Sequence, residues 1–174
     1  ADMGKRAEIV AAGGVPALIS LMGSWSDSCQ LQAMRALGSI ADDASSHAQI
    51  GRSGLPQIVE TAASDSSLGR GYATSLLHKL ACGGDDEAQA AVACSEPAVQ
   101  LLVQHVSDGL EERIPAVGSL RQLSRWSEAR RSMVEAGGVA ALVEAARSRD
   151  LDGHARREAS LAVAQLACAP HAEA

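Results

Sequence analysis

The stretch Ile9 to Leu21 reads IVAAGGVPALISL, and near the other end of the chain Val134 to Ala146 reads VEAGGVAALVEAA. A chain of 174 residues that states one phrase twice has to be tested for internal repeats first. The apolar residue before each Gly or Ser turn recurs as Val10, Ile50, Val92 and Val134, at steps of 40, 42 and 42. The apolar residue after the turn recurs as Leu18, Ile58, Leu101 and Leu142. A later pair recurs as Leu37/Ile40, Leu77/Leu80, Leu120/Leu123 and Val163/Leu166. From the second marker to the third the steps are 19, 19, 19 and 21, so the spacing inside a unit is nearly constant. These periods imply a single array over 1–174, with units at approximately 1–43, 44–83, 84–126 and 127–169.

The composition agrees with a helical stack. The apolar share is 47%, yet there is no Phe, one Tyr (Tyr72) and two Trp (Trp25 and Trp126). The core must be built from Ala, Leu, Val and Ile, which suits closely packed helices better than an aromatic-rich sheet. The formal net charge of −6 disfavours bulk nucleic-acid binding while leaving room for a local Arg stripe. No apolar run reaches the roughly 18 residues of a membrane span. Cys29, Cys82, Cys94 and Cys168 lie far apart, with no CxxC and no His pair at ligand spacing. They read as small reduced core residues, which implies an intracellular reducing compartment, the cytoplasm.

Each unit reads as three helices. In AGGVPALISLMG a Gly pair stops one short helix, and Pro16 then stands where its fixed φ suits a first helical turn. Pro56 repeats that placement. Polar loops follow (GSWSDS, ASDSS, SDG, RSRDLDG), and then a longer third helix: CQLQAMRALGSIA, GRGYATSLLHKLA, EERIPAVGSLRQLS and ARREASLAVAQLA. Apolar residues at i, i+3 and i+4 dominate these segments, and no stretch alternates at period two. In the third unit Pro115 implies that the third helix starts late, near Glu112, or kinks.

Three helices in about 42 residues, with an aGGvpaLv turn and an A-L-x-x-[IL]-A ending, resemble the armadillo repeat family over nearly the whole chain. EIVAAGGVPALISLM and SMVEAGGVAALVEAA carry the resemblance most fully; QIGRSGLPQIVETAA keeps it, and VACSEPAVQLLVQHV lacks the Gly pair. The resemblance implies an all-α, right-handed α-solenoid of about four three-helix repeats. Each unit must stack on its neighbours to cover its apolar faces, giving a rod on the order of 40 Å long at about 10 Å per helix layer. Its third helices would line a concave groove.

That groove is where the resemblance implies partner binding. Peptide-binding relatives carry an Asn two residues after the third-helix Leu and a Trp one turn earlier. The Asn-equivalent positions here are Ser39, Lys79, Gln122 and Gln165, and the Trp-equivalent positions are Arg35, Ser75, Gly118 and Leu161. The ladder of the importin alpha type is absent. Gln122 and Gln165 retain amides able to donate to a peptide carbonyl. Arg35, Lys79, Arg121 and Arg157 could form a broken basic line favouring an acidic or phosphorylated segment. Trp126, among Arg125, Arg130 and Arg131, reads either as an interface anchor or as a cover for the seam between the third and fourth units; Trp25, in a loop, reads the same way. The candidate partner-binding set is therefore Arg35, Ser39, Ser75, Lys79, Gln122, Trp126 and Gln165.

Nothing points to catalysis, a cofactor or a metal. Gly83 to Glu87 (GGDDE) reads as a helix stop followed by an Asp cap. The five histidines are dispersed without paired carboxylates, and no nucleophile elbow, phosphate loop or zinc motif occurs. The expected function is a non-catalytic interaction scaffold or adaptor that binds a protein or peptide partner along the groove or docks in a multiprotein complex; a narrower reading is a groove that takes linear acidic peptides. The alternative is a substrate-recognition module of a larger enzyme such as a ubiquitin ligase. Apolar residues near both ends (Ile9, Val10, Ile19; Leu161, Val163, Leu166) imply further repeats or other subunits covering them, and the absence of an initial Met agrees with a piece of something longer or a processed product.

Overall fold

The computed structural model describes residues 3–23, 26–64, 66–109 and 111–168, and within them every regular element is helical. The helices are α1 (Met3–Ala11), α2 (Gly14–Met22), α3 (Asp27–Ile40), α4 (His47–Ala62), α5 (Ser67–Cys82), α6 (Asp86–Ala93), α7 (Glu96–Asp108), α8 (Arg113–Leu123), α9 (Ser127–Glu135), α10 (Gly138–Arg147) and α11 (Gly153–Cys168), with a short 3-10 turn at Ala44–Ser46 before α4. Successive groups stack into an α-solenoid in which α3, α5, α8 and α11 lie side by side, each packed on the next.

The turn between first and second helices is decided by one repeat position, occupied by Gly13, Ser53, Ser95 and Gly137. Gly13 (φ 79) and Gly137 (φ 76) take the left-handed conformation and reverse the chain into α2 and α10. A serine there would cost roughly 1–2 kcal/mol in that conformation. The two serines avoid it in different ways. Ser95 is extended (φ −87, ψ 95), and its side chain accepts a hydrogen bond from the Ala98 N–H while Pro97 fits the first turn of α7. Ser53 stays helical, so α4 runs unbroken from His47 to Ala62 with Pro56 inside it. The second unit thus has two long helices instead of the three expected, and Pro56 gives up one ladder hydrogen bond instead of opening a helix.

Caps elsewhere follow the sequence closely. Ser26, Ser66 and Asp85 accept from the N–H groups of Cys29, Gly69 and Ala88, so GGDDE is a helix stop and a cap as read from sequence. Pro115 produces the late start and not an interior break: α8 begins at Arg113, immediately after Glu112. At 11 residues it is shorter than the 13-residue α7, so the third helix is not the longest in that unit.

The core is the third-helix stripe. Leu37, Leu77, Leu80, Leu120 and Leu123 are fully buried, and Ile40 nearly so. Their fourth-unit equivalents, Val163 and Leu166, are only half-buried. At the other end Ile9 is exposed and Val10 half-buried, but Ile19 is covered, its side chain lying against Gly54 of α4. The cysteines correct an expectation. All four are free thiols, but Cys29, Cys94 and Cys168 are exposed and only Cys82 is half-buried, because three of them fall on helix starts and ends outside the apolar stripe.

Candidate functional site: the ladder of third helices

Four parallel third helices present one continuous face, and their side chains sort into those turned toward a neighbouring helix and those left in solvent. Arg35, Ser39 and Ser75 are exposed on that face; Lys79, Gln122 and Gln165 are half-buried. The structure thus brings six of the seven sequence-derived residues onto one ladder, but several are already engaged.

Lys79 Nζ donates to the Gly38 carbonyl (2.6 Å) and to Asp42 Oδ1 (2.7 Å), bridging α5 to the end of α3. Arg6 donates to the other Asp42 oxygen (3.0 Å). The hydrogen bond from Lys79, with its charge and that of Arg6, holds the Asp42 carboxyl below the usual carboxylate range. Arg121 lies 3.7 Å from Glu158 of α11. The basic line expected from sequence is therefore quenched at its two middle members, and its exposed members are Arg35 of α3 and Arg157 of α11, with Arg156 exposed beside the latter. Gln165 is committed as well: its Oε1 accepts a short hydrogen bond from Ser124, the residue that follows α8, leaving its amide N–H groups.

Trp126 departs from the ladder. It is the residue before α9, half-buried against the core, with its indole N–H buried and lacking a hydrogen-bond partner. Of its two sequence readings, the seam cover is the one its packing matches. Trp25 lies outside the described residues.

Between α5 and α8 the helices are stitched by His78, whose Nδ1 is 3.1 Å from the Pro115 carbonyl and 3.2 Å from Ser119 Oγ. Burial pushes the His78 imidazole below its usual range, and it pushes the neighbouring Cys82 thiol up to about 11, with the Glu158 charge adding to the shift. A thiol with that pKa stays protonated at neutral pH and is a poor nucleophile. Among the described residues no group of three His, Cys, Asp or Glu side chains is placed to hold a metal ion, and no helix is long and apolar enough to cross a membrane.

Sequence reasoning missed the apolar residues on the same face. Leu68 and Tyr72 of α5 and Ile114 of α8 are large and exposed, as is Leu161 of α11, which the sequence had already placed at a groove position. Leu68, Tyr72, Ser75 and Pro115, with Glu111 and Glu112, surround an open depression of about 410 Å³. The spacing of Leu68, Tyr72 and Ser75 at i, i+4 and i+7 was a usable signal, since Ser75 had been placed in the groove and the other two share its side of the helix.

A helical repeat protein with a laterally stacked third-helix face belongs to the class of α-solenoids that offer an extended concave surface in place of an enclosed pocket. The family model described as Armadillo/beta-catenin-like repeat matches residues 3–42. Two crystal structures of engineered proteins are similar over almost the whole chain. One is 30% identical, with a TM-score of 0.81 and coverage of 96% of this chain and 68% of the other. The second is 27% identical, with a TM-score of 0.84, covering 98% of this chain but 41% of the other. A designed armadillo repeat protein in complex with the peptide (KR)4 has the same fold at 22% identity, with a TM-score of 0.80 and coverage of 97% and 70%. No curated protein matches the chain. The chain belongs to the armadillo repeat family.

Proposed function

We propose that the protein is a non-catalytic scaffold that binds an extended segment of another protein across α3, α5, α8 and α11. The observation that carries this reading is the exposed, continuous face formed by those four helices, with Arg35, Ser39, Tyr72, Ser75, Ile114 and Leu161 directed to solvent while the opposite side of each helix is committed to the core. The (KR)4 peptide of the designed neighbour is basic. Here the exposed members of the basic line are Arg35 and Arg157, which favour an acidic segment over a basic one.

Affinity capture with the wild-type chain and with an Arg35→Glu/Arg157→Glu variant tests the reading. The expected result is a stoichiometric partner lost from the double variant and retained by Glu144→Arg, a control on the exposed side of α10. A partner retained equally by all three would place binding outside the groove and overturn it.

A further inference from the structure

Resting on the groove reading above, we infer that the middle of the ladder is a seat for one bulky apolar side chain, and that the segment bound there is an extended peptide with acidic residues at both ends and an aliphatic or aromatic residue at its centre. The depression between α5 and α8 supplies the seat. Its walls are Leu68 and Tyr72 on one helix and Pro115 on the other, with Ser75 beside them, and at about 410 Å³ it has ample room for a single side chain. Pockets of roughly 300–1,000 Å³ hold whole small ligands. Leu68 lines the depression and is 61% exposed, and Ile114, next to Pro115 on the other helix, is 47% exposed. Such surface on a groove face is released from water only when a partner covers it.

The charges determine what flanks the central residue. Glu111, exposed at the rim of the seat, disfavours an acidic side chain there, while Glu112, which lines it, is buried 4.0 Å from Arg70. The cations on the two helices that form the seat are all engaged: Lys79 with Asp42, Arg121 with Glu158, Arg70 at 4.0 Å from Glu112, and Arg113 with Ser148 Oγ. The exposed cations stand one helix further out on each side, Arg35 on α3 and Arg157 on α11. The helices are in register along the ladder. The Gly38 carbonyl accepts from Lys79, Ser119 lies beside His78 and Ser124 donates to Gln165, each pair 41 residues apart, so Arg35 is nearly level with Ser75 and Arg157 with Ile114. Three helix spacings of about 10 Å separate the two arginines by roughly 30 Å. An extended chain at about 3.3 Å per residue covers that distance in about nine residues, which puts its central side chain over the seat.

The test uses fluorescent peptides of about that length, with paired glutamates at each end, serine and alanine between, and leucine, phenylalanine, serine or glutamate at the centre. Anisotropy should show the leucine and phenylalanine peptides binding roughly tenfold or more tighter than the serine and glutamate ones. Tyr72→Ser, an exposed position, should remove most of that preference, and Ser75→Trp should block the seat by filling it. Exchanging the terminal glutamates for lysines should weaken binding to the wild type and restore it to Arg35→Glu/Arg157→Glu. Equal affinity for all central residues, a preference unchanged by Tyr72→Ser, or no binding by any of the peptides overturns the seat. The groove reading fails separately, when the captured partner survives the double charge reversal.

Discussion

The outer and inner units solve the same turn differently. Between α1 and α2, and again between α9 and α10, a left-handed glycine reverses the chain, and the next glycine lets the two backbones approach. In the inner units serine occupies that position, and the chain either caps a new helix at Ser95 or continues helically through Ser53. All four units nevertheless contribute a third helix to one ladder. The glycine turn is thus a local device for connecting helices, whereas lateral packing of the third helices sets the architecture, because that packing buries the leucine stripe.

The sharpest way to break the comparison is to cut the stripe at equivalent positions. Leu80→Ala, inside the array, should cost about 2–5 kcal/mol. Leu166→Ala, half-buried at the end, should cost less than half as much by urea denaturation. Equal costs would mean the end of the array is as well packed as its middle. Next comes the close approach at the glycine turn. A Cβ at Gly138 would lie 2.7 Å from the Met133 carbonyl oxygen, so Gly138→Ala should cost about 1–3 kcal/mol. Gly38→Ala, with open space around it in α3, should instead stabilise by about 0.5–1 kcal/mol.

The two serines then give one substitution with opposite signs. Ser95→Ala removes a cap and should cost about 1 kcal/mol, while Ser53→Ala, exposed within α4, should be favourable by a few tenths of a kcal/mol. A loss at both positions would indicate that Ser53 also serves as a cap.

The smallest effect concerns pH at the middle junctions. His105 of α7 is buried, with Nδ1 3.1 Å from Thr74 Oγ1 of α5, and burial lowers its pKa as it lowers that of His78. Both are therefore neutral in the fold under conditions where the unfolded chain takes up protons, near pH 6.5. Stability is fully present above that value and declines as pH falls below it. Melting should be lower at about pH 5.5 than at about 7.5, and His105→Gln should flatten the difference. An unchanged slope in that variant would assign the dependence to His78.

Much of this fold was legible in the residues. The period, the capping serines and aspartates, the late start of α8 and the burial of the Leu37, Leu77 and Leu120 series all depend on neighbours within a turn or a loop. The candidate site was legible by position but not by state. Lys79 and Arg121 fall on the ladder as expected, yet each is neutralised by a carboxylate 37 residues away in sequence, Asp42 and Glu158. The cysteines failed for a related reason: their apolar character suggested the core, but three of them fall at helix starts and ends, in solvent.

The sequence alone determined that this chain is a helical array with a fixed internal spacing, because periodicity and turn chemistry are local and repeat along the chain. The tertiary structure alone decided which ladder residues remain available to a partner. Stacking brings together groups a full unit apart, and their pairing, exposure and shared depression exist only once adjacent helices are packed.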